Sequence, residues 1–289
     1  MDDVTNSQDQ IRQSVESYRL GTISRRDLLR ALITATGSYA TAHLFLESSG
    51  LAQSVVSQRE AEAANVNAES VEYPSDNATI QAYLARPKTS GKHPGIVVIH
   101  ENRGLNEHIR DIARRFAAEG YVALAPDLLS RVGGTGAMKT PADATEAINK
   151  LPLFDTLDDL KAGLDYLGKH AEVDSAKLNS IGFCWGGWRS FTLATMAPNL
   201  THAVVFYGSS PDTGFERIRG KVLAHYAEWD YRITGNALWT EEQMKKAGKS
   251  YQYHVYPQTE HAFFNDTGPR HVPDASKLAW QRTLDFLRQ

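Results

Sequence analysis

The fold of this chain can be predicted from the segment Leu178-Asn179-Ser180-Ile181-Gly182-Phe183-Cys184-Trp185-Gly186-Gly187. Residues 178–183 are apolar enough to form a buried β-strand, and a helix is predicted to follow over residues 186–196. Between them, the pattern Gly-x-Cys-x-Gly is typical of a sharp strand-to-helix turn, because the glycines let the strand and the helix approach closely. Such a turn holds its central residue, Cys184, in a strained backbone conformation.

Strand-like and helix-like segments alternate on both sides of this turn. Residues 95–99 are an unbroken apolar run, as expected for a strand buried on both faces, whereas residues 69–73 and 79–86 are amphipathic and predict an antiparallel pair at one edge. Further strands are predicted at residues 121–125, 203–207, 222–226 and 251–256, and further helices at residues 106–118, 142–150, 156–170, 236–247 and 273–287. This alternation predicts an α/β fold with a mostly parallel central sheet and helices on both faces.

Length and composition limit what the chain can be. With 289 residues and 42% hydrophobic content, it can bury one core, which suits a single α/β domain with an appendage. The net charge is only −3 and the basic residues form no long block, so nucleic acid is not an expected partner. A single cysteine excludes an intramolecular disulfide and a multi-cysteine zinc site, and no metal or cofactor is expected.

Cys184 is the candidate nucleophile. At the first turn of a helix, the macrodipole and the free N–H groups favour a thiolate over a thiol. A lone cysteine beside a phenylalanine and a tryptophan is also compatible with a buried core position. The flanking glycines favour the catalytic interpretation.

A thiol nucleophile needs a base, and an imidazole base needs an acid that fixes its tautomer. Asp230 follows the predicted strand at residues 222–226 and His261 follows the one at 251–256, so both are expected at the carboxyl edge of the sheet with the thiol. A solvated loop position or a helix cap is the alternative for either residue. Glu228 and Glu260 are competing acids close to the favoured residues in the sequence, and each is expected to point elsewhere.

The loop after the apolar run at 95–99 supplies further candidates. A backbone N–H after the nucleophile and another in this loop form the oxyanion hole of such folds, which here predicts Trp185 and Asn102 as donors. Glu101 lies at the end of an apolar strand, where a carboxylate is costly to bury without a partner. It is therefore either functional or in an ion pair with Arg103 or Arg110.

Together these motifs resemble the dienelactone hydrolase (carboxymethylenebutenolidase) family of α/β-hydrolases. The resemblance runs from about Val71 to the C-terminus, and the glycine turn alone would indicate only the superfamily. The motifs that carry it are His100-Glu101-Asn102-Arg103-Gly104-Leu105, Ala125-Pro126-Asp127-Leu128, Gly182-Phe183-Cys184-Trp185-Gly186-Gly187 and His261-Ala262-Phe263-Phe264-Asn265-Asp266.

The resemblance implies an α/β-hydrolase fold and a reaction through an acyl-enzyme. Cys184 would attack the carbonyl carbon, His261 would carry the proton, and Asp230 would orient His261, while the two predicted N–H donors hold the oxyanion. In this family the carboxylate that corresponds to Glu101 contacts the resting thiol, and substrate binding releases a thiolate near the histidine.

The expected substrate contacts depart from the family. Members that cleave dienelactone carry an arginine shortly after the catalytic histidine to hold the substrate carboxylate, and this chain has Asn265 there. An amide cannot replace a bidentate arginine–carboxylate pair at equal strength. Arg103 or Arg131 could supply a cation from another loop. Phe263 is expected to contribute to a partly apolar site with Trp185, Trp188 and Phe264, and packing under the sheet is the alternative role for some of these aromatic residues.

Residues 1–52 are predicted to be a twin-arginine export signal. Arg25 and Arg26 precede a moderately apolar stretch at residues 31–46, and Gly50-Leu51-Ala52 provides small residues for cleavage. Residues 53–68 would then be a polar linker and residues 69–289 the hydrolase domain. The apolar stretch is too short for a permanent membrane anchor. We expect export to the periplasm by the twin-arginine machinery, and the alternative is an amphipathic helix on a cytoplasmic protein.

The sequence thus predicts a hydrolase that cleaves an ester or lactone bond of a small molecule. A general carboxylesterase for small acyl esters is the alternative within the same class. A non-catalytic exported protein that binds a ligand in the cleft is the alternative from another class, since a fold does not guarantee an activity. A redox thiol protein is a weaker alternative, because one cysteine has no resolving partner.

Overall fold

The computed structural model of this chain describes residue 11 and residues 13–17, 25–36 and 66–289. The chain divides into two compact units, Met1–Ala64 and Asn65–Gln289. In the first unit, helix α1 (Arg25–Thr36) begins at the arginine pair. The rest of the predicted apolar stretch, the predicted cleavage region at 50–52 and residues 53–65 of the predicted linker lie outside the described residues. Within the described ranges, no helix is long and apolar enough to cross a membrane.

The second unit is built on one sheet. Its described strands are β1 (Val66–Ser75), β2 (Ala78–Pro87), β3 (His93–Ile99), β4 (Val122–Pro126), β5 (Val173–Phe183), β6 (Leu200–Phe206), β7 (Lys221–Ala227) and β8 (Tyr251–Tyr256). They lie in the order β1-β2-β4-β3-β5-β6-β7-β8. The pairs β1–β2 and β2–β4 are antiparallel and the other neighbours are parallel, which confirms the predicted fold class. β1 begins before the predicted strand and takes in residues 66–68 of the predicted linker.

Helices cover both faces of the sheet. They are α2 (Glu107–Ala118), α3 (Pro141–Asn149), α4 (Leu153–Lys169), α5 (Trp185–Ala194), α6 (Tyr231–Thr234), α7 (Ala237–Lys246) and α8 (Pro273–Leu287). The sequence pattern predicts each of them except α6. Four residues are too few to show a helical period of apolar side chains.

The two main apolar clusters lie on opposite faces of the sheet. In β3, Val97 and Ile99 belong to the cluster that contains the leucines of α4, whereas Ile96 and Val98 belong to the cluster that contains the apolar residues of α2. Successive side chains of a strand point to opposite faces. The unbroken apolar run in β3 is therefore explained by burial on both faces.

The register of the central strands places the candidate site residues. β5 lies between β3 and β6, with Gly182 paired to Ile99 and Phe183 paired to Phe206. Because β3 and β5 to β8 are mutually parallel, the loops that follow them leave from the same edge of the sheet. Side chains that are far apart in the sequence meet at this edge.

Candidate active site

Cys184 occupies the turn between β5 and α5 and is partly exposed. Its φ of 55° and ψ of −116° form a conformation that L-residues rarely adopt. Its N–H donates to the carbonyl of Phe206 at 3.0 Å. A side chain at Gly182 would overlap the backbone of Gly186, and one at Gly186 would overlap the carbonyl of His100. Close backbone packing thus explains both glycines and presents Cys184 at the sheet edge.

His261 contacts both of the other candidate catalytic residues. Its Nδ1–H donates to Oδ2 of Asp230 at 2.5 Å, and its side chain is hydrogen-bonded to that of Cys184. Burial lowers the pKa of His261, but the hydrogen bonds and charges of Asp230 and Cys184 outweigh burial and raise this pKa to about 9. The imidazolium form is therefore favoured at neutral pH beside the sulfur atom.

The two competing acids have other surroundings. Glu228 accepts a hydrogen bond from the N–H of Gln258 at 2.8 Å, so it fastens the loop that leads to His261. Glu260 is exposed to solvent. Of the acids weighed from the sequence, Asp230 is the one that is hydrogen-bonded to the imidazole.

Glu101 is held by two side chains and has only 6% of its surface exposed. Its Oε1 accepts from the hydroxyl of Tyr207 at 3.4 Å, and its Oε2 accepts from Nδ2 of Asn265 at 2.9 Å. Glu101 therefore has these two hydrogen-bond partners in place of the ion pair with Arg103 or Arg110 that the sequence also allowed. Arg103 is exposed, and the guanidinium of Arg110 lies over an aromatic ring of β2 at 5.2 Å.

Tyr207 is a site residue that sequence reasoning missed. It directly follows β6, is fully buried and has a φ of 39°. The centroid of its ring lies 5.1 Å from that of His261. Burial, and then the charges of Glu101 and Cys184, raise the pKa of Tyr207 well above its ordinary value, so it stays a neutral donor. Tyr207 could have been predicted as a site residue from its position at the end of a strand that neighbours β5.

The predicted oxyanion donors lie in two adjoining segments. Trp185 is the first residue of α5, where a backbone N–H has no acceptor within the helix. The carbonyl of Asn102 accepts from Oγ1 of Thr145 at 2.9 Å, which ties the loop after β3 to α3. The segments adjoin because Gly186 packs directly against the carbonyl of His100.

The indole of Trp185 belongs to a stack of planar groups. The ring of His100 lies nearly parallel to it, with the centroids 5.7 Å apart and 6° between the planes. The guanidinium carbon of Arg189 lies 3.9 Å from the centroid of the Trp185 ring and 4.2 Å from that of Trp188. Burial lowers the pKa of Arg189 to about 10, and the cation–π contacts offset part of the cost of burying this charge. Sequence reasoning missed this stack, because its members come from two segments.

Asn265 was predicted to contact the substrate, but its amide is engaged within the protein. Nδ2 donates to Glu101, and Oδ1 accepts from the N–H and the hydroxyl of Thr267 at 3.0 and 2.6 Å. In this structure Asn265 therefore holds Glu101, and its contact with a substrate stays a prediction.

Two further predicted substrate contacts also have structural roles. Phe263 is fully buried, with its ring centroid 5.7 Å from that of Tyr207 and 4.9 Å from that of Tyr256. Arg131 donates to both carboxylate oxygens of the buried Asp159, at 3.0 and 2.8 Å. A cavity of about 460 Å³ is lined by Arg131, and none of the candidate catalytic residues contributes to its wall. Arg103 thus stays the predicted cation for a substrate.

No group of three or more His, Cys, Asp or Glu side chains within the described ranges is arranged to hold a metal ion.

A nucleophile turn after a central parallel strand, with a histidine and an aspartate from loops at the same edge, defines the α/β-hydrolase class. The model of the dienelactone hydrolase family matches residues 80–289 of this chain. The chain therefore belongs to the dienelactone hydrolase family, and it is a hydrolytic enzyme.

Relatives and solved structures agree with this membership. A provisionally named carboxymethylenebutenolidase of Methylorubrum extorquens is 31% identical over 232 residues, which cover 76% of this chain and 80% of the relative. Its counterpart in Saccharolobus solfataricus is 33% identical over 251 residues, which cover 75% and 96%. A crystal structure of a provisionally assigned dienelactone hydrolase from Klebsiella pneumoniae is 32% identical, with a TM-score of 0.71, and covers 78% of this chain and 99% of its own.

Proposed function

We propose that this hydrolase cleaves an ester or lactone bond through a Cys184–His261–Asp230 triad and an acyl-enzyme. The observation that carries the proposal is the position of His261, whose Nδ1 is hydrogen-bonded to Asp230 and whose side chain also interacts with that of Cys184. This is the arrangement in which a base is oriented by an acid and serves a nucleophile.

Acylation begins with the thiolate of Cys184. Its sulfur attacks the substrate carbonyl carbon, and the N–H groups of Asn102 and Trp185 donate to the oxygen that becomes negative. When the tetrahedral intermediate collapses, the carbon–oxygen bond of the ester or lactone breaks. His261 gives its proton to the departing alkoxide, which leaves a thioester on Cys184 and a neutral imidazole.

Deacylation reverses these proton movements. The neutral His261 takes a proton from a water molecule, and the resulting hydroxide attacks the thioester carbon. The second tetrahedral intermediate expels the thiolate of Cys184 and releases the carboxylic acid product. Asp230 stabilises the imidazolium that forms again.

We propose that Glu101 acts on the thiol and not on the substrate. The family resemblance implies that this carboxylate contacts the resting thiol and moves when substrate binds. Tyr207 and Asn265 donate hydrogen bonds to it in the present arrangement, and they would hold the carboxylate once the thiolate is released.

The substrate class follows from two observations. The names of the relatives, carboxymethylenebutenolidase and dienelactone hydrolase, favour a lactone. The engagement of Asn265 by Glu101 and Thr267 favours a substrate that does not need an arginine–carboxylate pair at this position, as a simple ester or an uncharged lactone does not. A general carboxylesterase activity is therefore the second candidate.

A hydrolysis panel tests the proposal. It contains cis-dienelactone, its methyl ester and p-nitrophenyl acetate, and compares the wild type, the alkylated wild type and Cys184→Ala. We expect iodoacetamide to abolish turnover, and Cys184→Ala to lower it by at least about a thousandfold because the nucleophile is lost.

Thermal unfolding of Cys184→Ala is the control, and an unchanged midpoint is expected. Turnover that survives both treatments would contradict the proposed nucleophile. No turnover of any member by the wild type would contradict the proposed ester or lactone substrate.

We also propose that residues 1–52 are a twin-arginine export signal and that the enzyme acts in the periplasm. The arginine pair at the start of α1 and the small residues at 50–52 support this proposal.

A further inference from the structure

His100 has no part in the mechanism proposed above, yet its side chain is fully buried beside the site. Its Nδ1 lies 2.7 Å from the carbonyl oxygen of Glu101, and its Nε2 lies 3.2 Å from the backbone nitrogen of Leu128. A backbone N–H can only donate, so Nε2 accepts and Nδ1 carries the proton of the neutral ring. Burial lowers the pKa of His100, in agreement with a neutral imidazole.

The carbonyl that accepts from His100 belongs to the peptide unit of a proposed oxyanion donor. The C=O of Glu101 and the N–H of Asn102 are opposite ends of one planar amide. A hydrogen bond to this C=O holds the plane in one orientation and polarises the N–H, which makes the N–H a stronger donor. The direction and strength of the Asn102 donor therefore depend on His100.

The same imidazole contacts the residue that supplies the second proposed donor. It stacks on the indole of Trp185, with centroids 5.7 Å apart, and the guanidinium of Arg189 also packs on this indole. One buried side chain thus joins the loop after β3 to the first residue of α5. These are the two segments whose N–H groups must converge on one oxygen atom.

We infer that His100 is the positioning residue of the oxyanion hole: it orients the Asn102 N–H through the carbonyl of Glu101 and packs against Trp185. The inference rests on the proposed function, because it assigns a role within the same acyl transfer. His100 does not touch the reacting atoms. It acts by keeping the two donors aimed at the charge that develops in the transition state.

Three variants separate this role from ordinary packing. His100→Asn places an amide nitrogen where Nδ1 lies and can still donate to Glu101. His100→Gln places a carboxamide oxygen where Nε2 lies and can accept only from Leu128, and His100→Leu loses both bonds. His202→Gln is the matched control, since His202 is buried and bonded to Asn179 at 2.9 Å but lies near the start of β6.

Two reactions are measured for each variant. Hydrolysis of p-nitrophenyl acetate gives kcat and KM and passes through an oxyanion. Alkylation of Cys184 by iodoacetamide displaces iodide at a saturated carbon and forms no oxyanion. We expect His100→Leu and His100→Gln to lower kcat by roughly tenfold to a hundredfold while KM and the alkylation rate change by less than about twofold. His100→Asn should recover most of the kcat, and His202→Gln should match the wild type.

Other results would overturn the inference. Alkylation that slows in step with kcat would mean a general disturbance of the nucleophile turn. Activity retained by His100→Gln and lost by His100→Asn would place the essential bond at Leu128. An active wild type with an equally active His100→Leu overturns the inference alone, whereas a wild type that is alkylated at Cys184 but hydrolyses no ester overturns the proposed function as well.

Discussion

His261 is the residue whose charge controls the proposed reaction. Its pKa is raised to about 9, so the ring is protonated below that pH and loses its proton as the pH rises through it. Acylation needs this proton for the leaving alkoxide. The rate constant kcat/KM is therefore expected to fall on the basic side of the profile, around pH 9.

Asp230→Asn is expected to move this basic limb to lower pH, because the substitution removes the carboxylate whose hydrogen bond and charge raise the pKa of His261. The amide also favours the wrong tautomer, so the rate should drop by about 10⁴-fold. The measurement is the pH profile of residual hydrolysis. Glu228→Gln is the control and should keep the wild-type limb, since Glu228 binds the N–H of Gln258. If the basic limb of the pH profile shifted in Glu228→Gln and not in Asp230→Asn, Glu228 would be the acid that orients His261.

Asn265→Arg tests the predicted change of substrate preference. An arginine at this position can pair with a substrate carboxylate, so kcat/KM for cis-dienelactone relative to its methyl ester should rise by about tenfold or more. Asn265→Leu removes the donor to Glu101 without adding a charge and should leave that ratio unchanged. Equal ratios in the two variants would refute a carboxylate pocket at this position.

The unit of β5, the nucleophile turn and α5 carries the site at the scale of elements. Its glycines are positions at which two backbones touch, whereas Gly168 of α4 has ordinary space around it. A Cβ on Gly186 would overlap backbone of the loop after β3, but one on Gly168 of α4 would meet its nearest neighbour at 3.5 Å. The two positions therefore provide a matched pair.

Gly186→Ala is expected to push α5 away from β3, with a loss of activity and of about 2 kcal/mol or more in the free energy of unfolding. Gly168→Ala should instead stabilise the protein by about 0.5–1 kcal/mol, because alanine is the better helix former. Urea unfolding and ester hydrolysis measure both effects. A tolerated Gly186→Ala would disprove the backbone contact as the reason for that glycine.

In the molecule as a whole, the proposed export signal and the hydrolase domain are separate segments of the chain with separate proposed functions. The family match begins at residue 80, and the arginine pair of α1 lies in the other unit of the chain. Substitutions in the signal should therefore change where the enzyme is found and not what it does.

Arg25→Lys combined with Arg26→Lys is expected to keep the precursor in the cytoplasm, because the twin-arginine machinery recognises the arginine pair and not merely its charge. Cell fractionation followed by the hydrolase assay measures the distribution. Arg30→Lys, outside the pair, should be exported like the wild type. Normal export of the double variant would contradict the proposed twin-arginine signal.

The strands, the longer helices and the nucleophile turn can be predicted from the sequence alone. Apolar runs, helical periods and the Gly-x-Cys-x-Gly pattern are local, so they predict β5, α5 and the strand-end placement of Cys184, Asp230 and His261. The boundaries of elements and the shortest elements are harder to predict from the sequence. The helix α6 and the early start of β1 are examples, because a single helical turn or a polar strand end shows little periodicity of apolar residues.

The contacts between side chains, by contrast, depend on the tertiary structure. Asn265 holds Glu101 across 164 positions of sequence, Arg131 pairs with Asp159, and Phe263 is enclosed by aromatic rings. The hydrogen bonds of Tyr207 and His100 are likewise set where parallel strands and their loops come together. Such contacts depend on distances between elements, and no local pattern of residues specifies those distances.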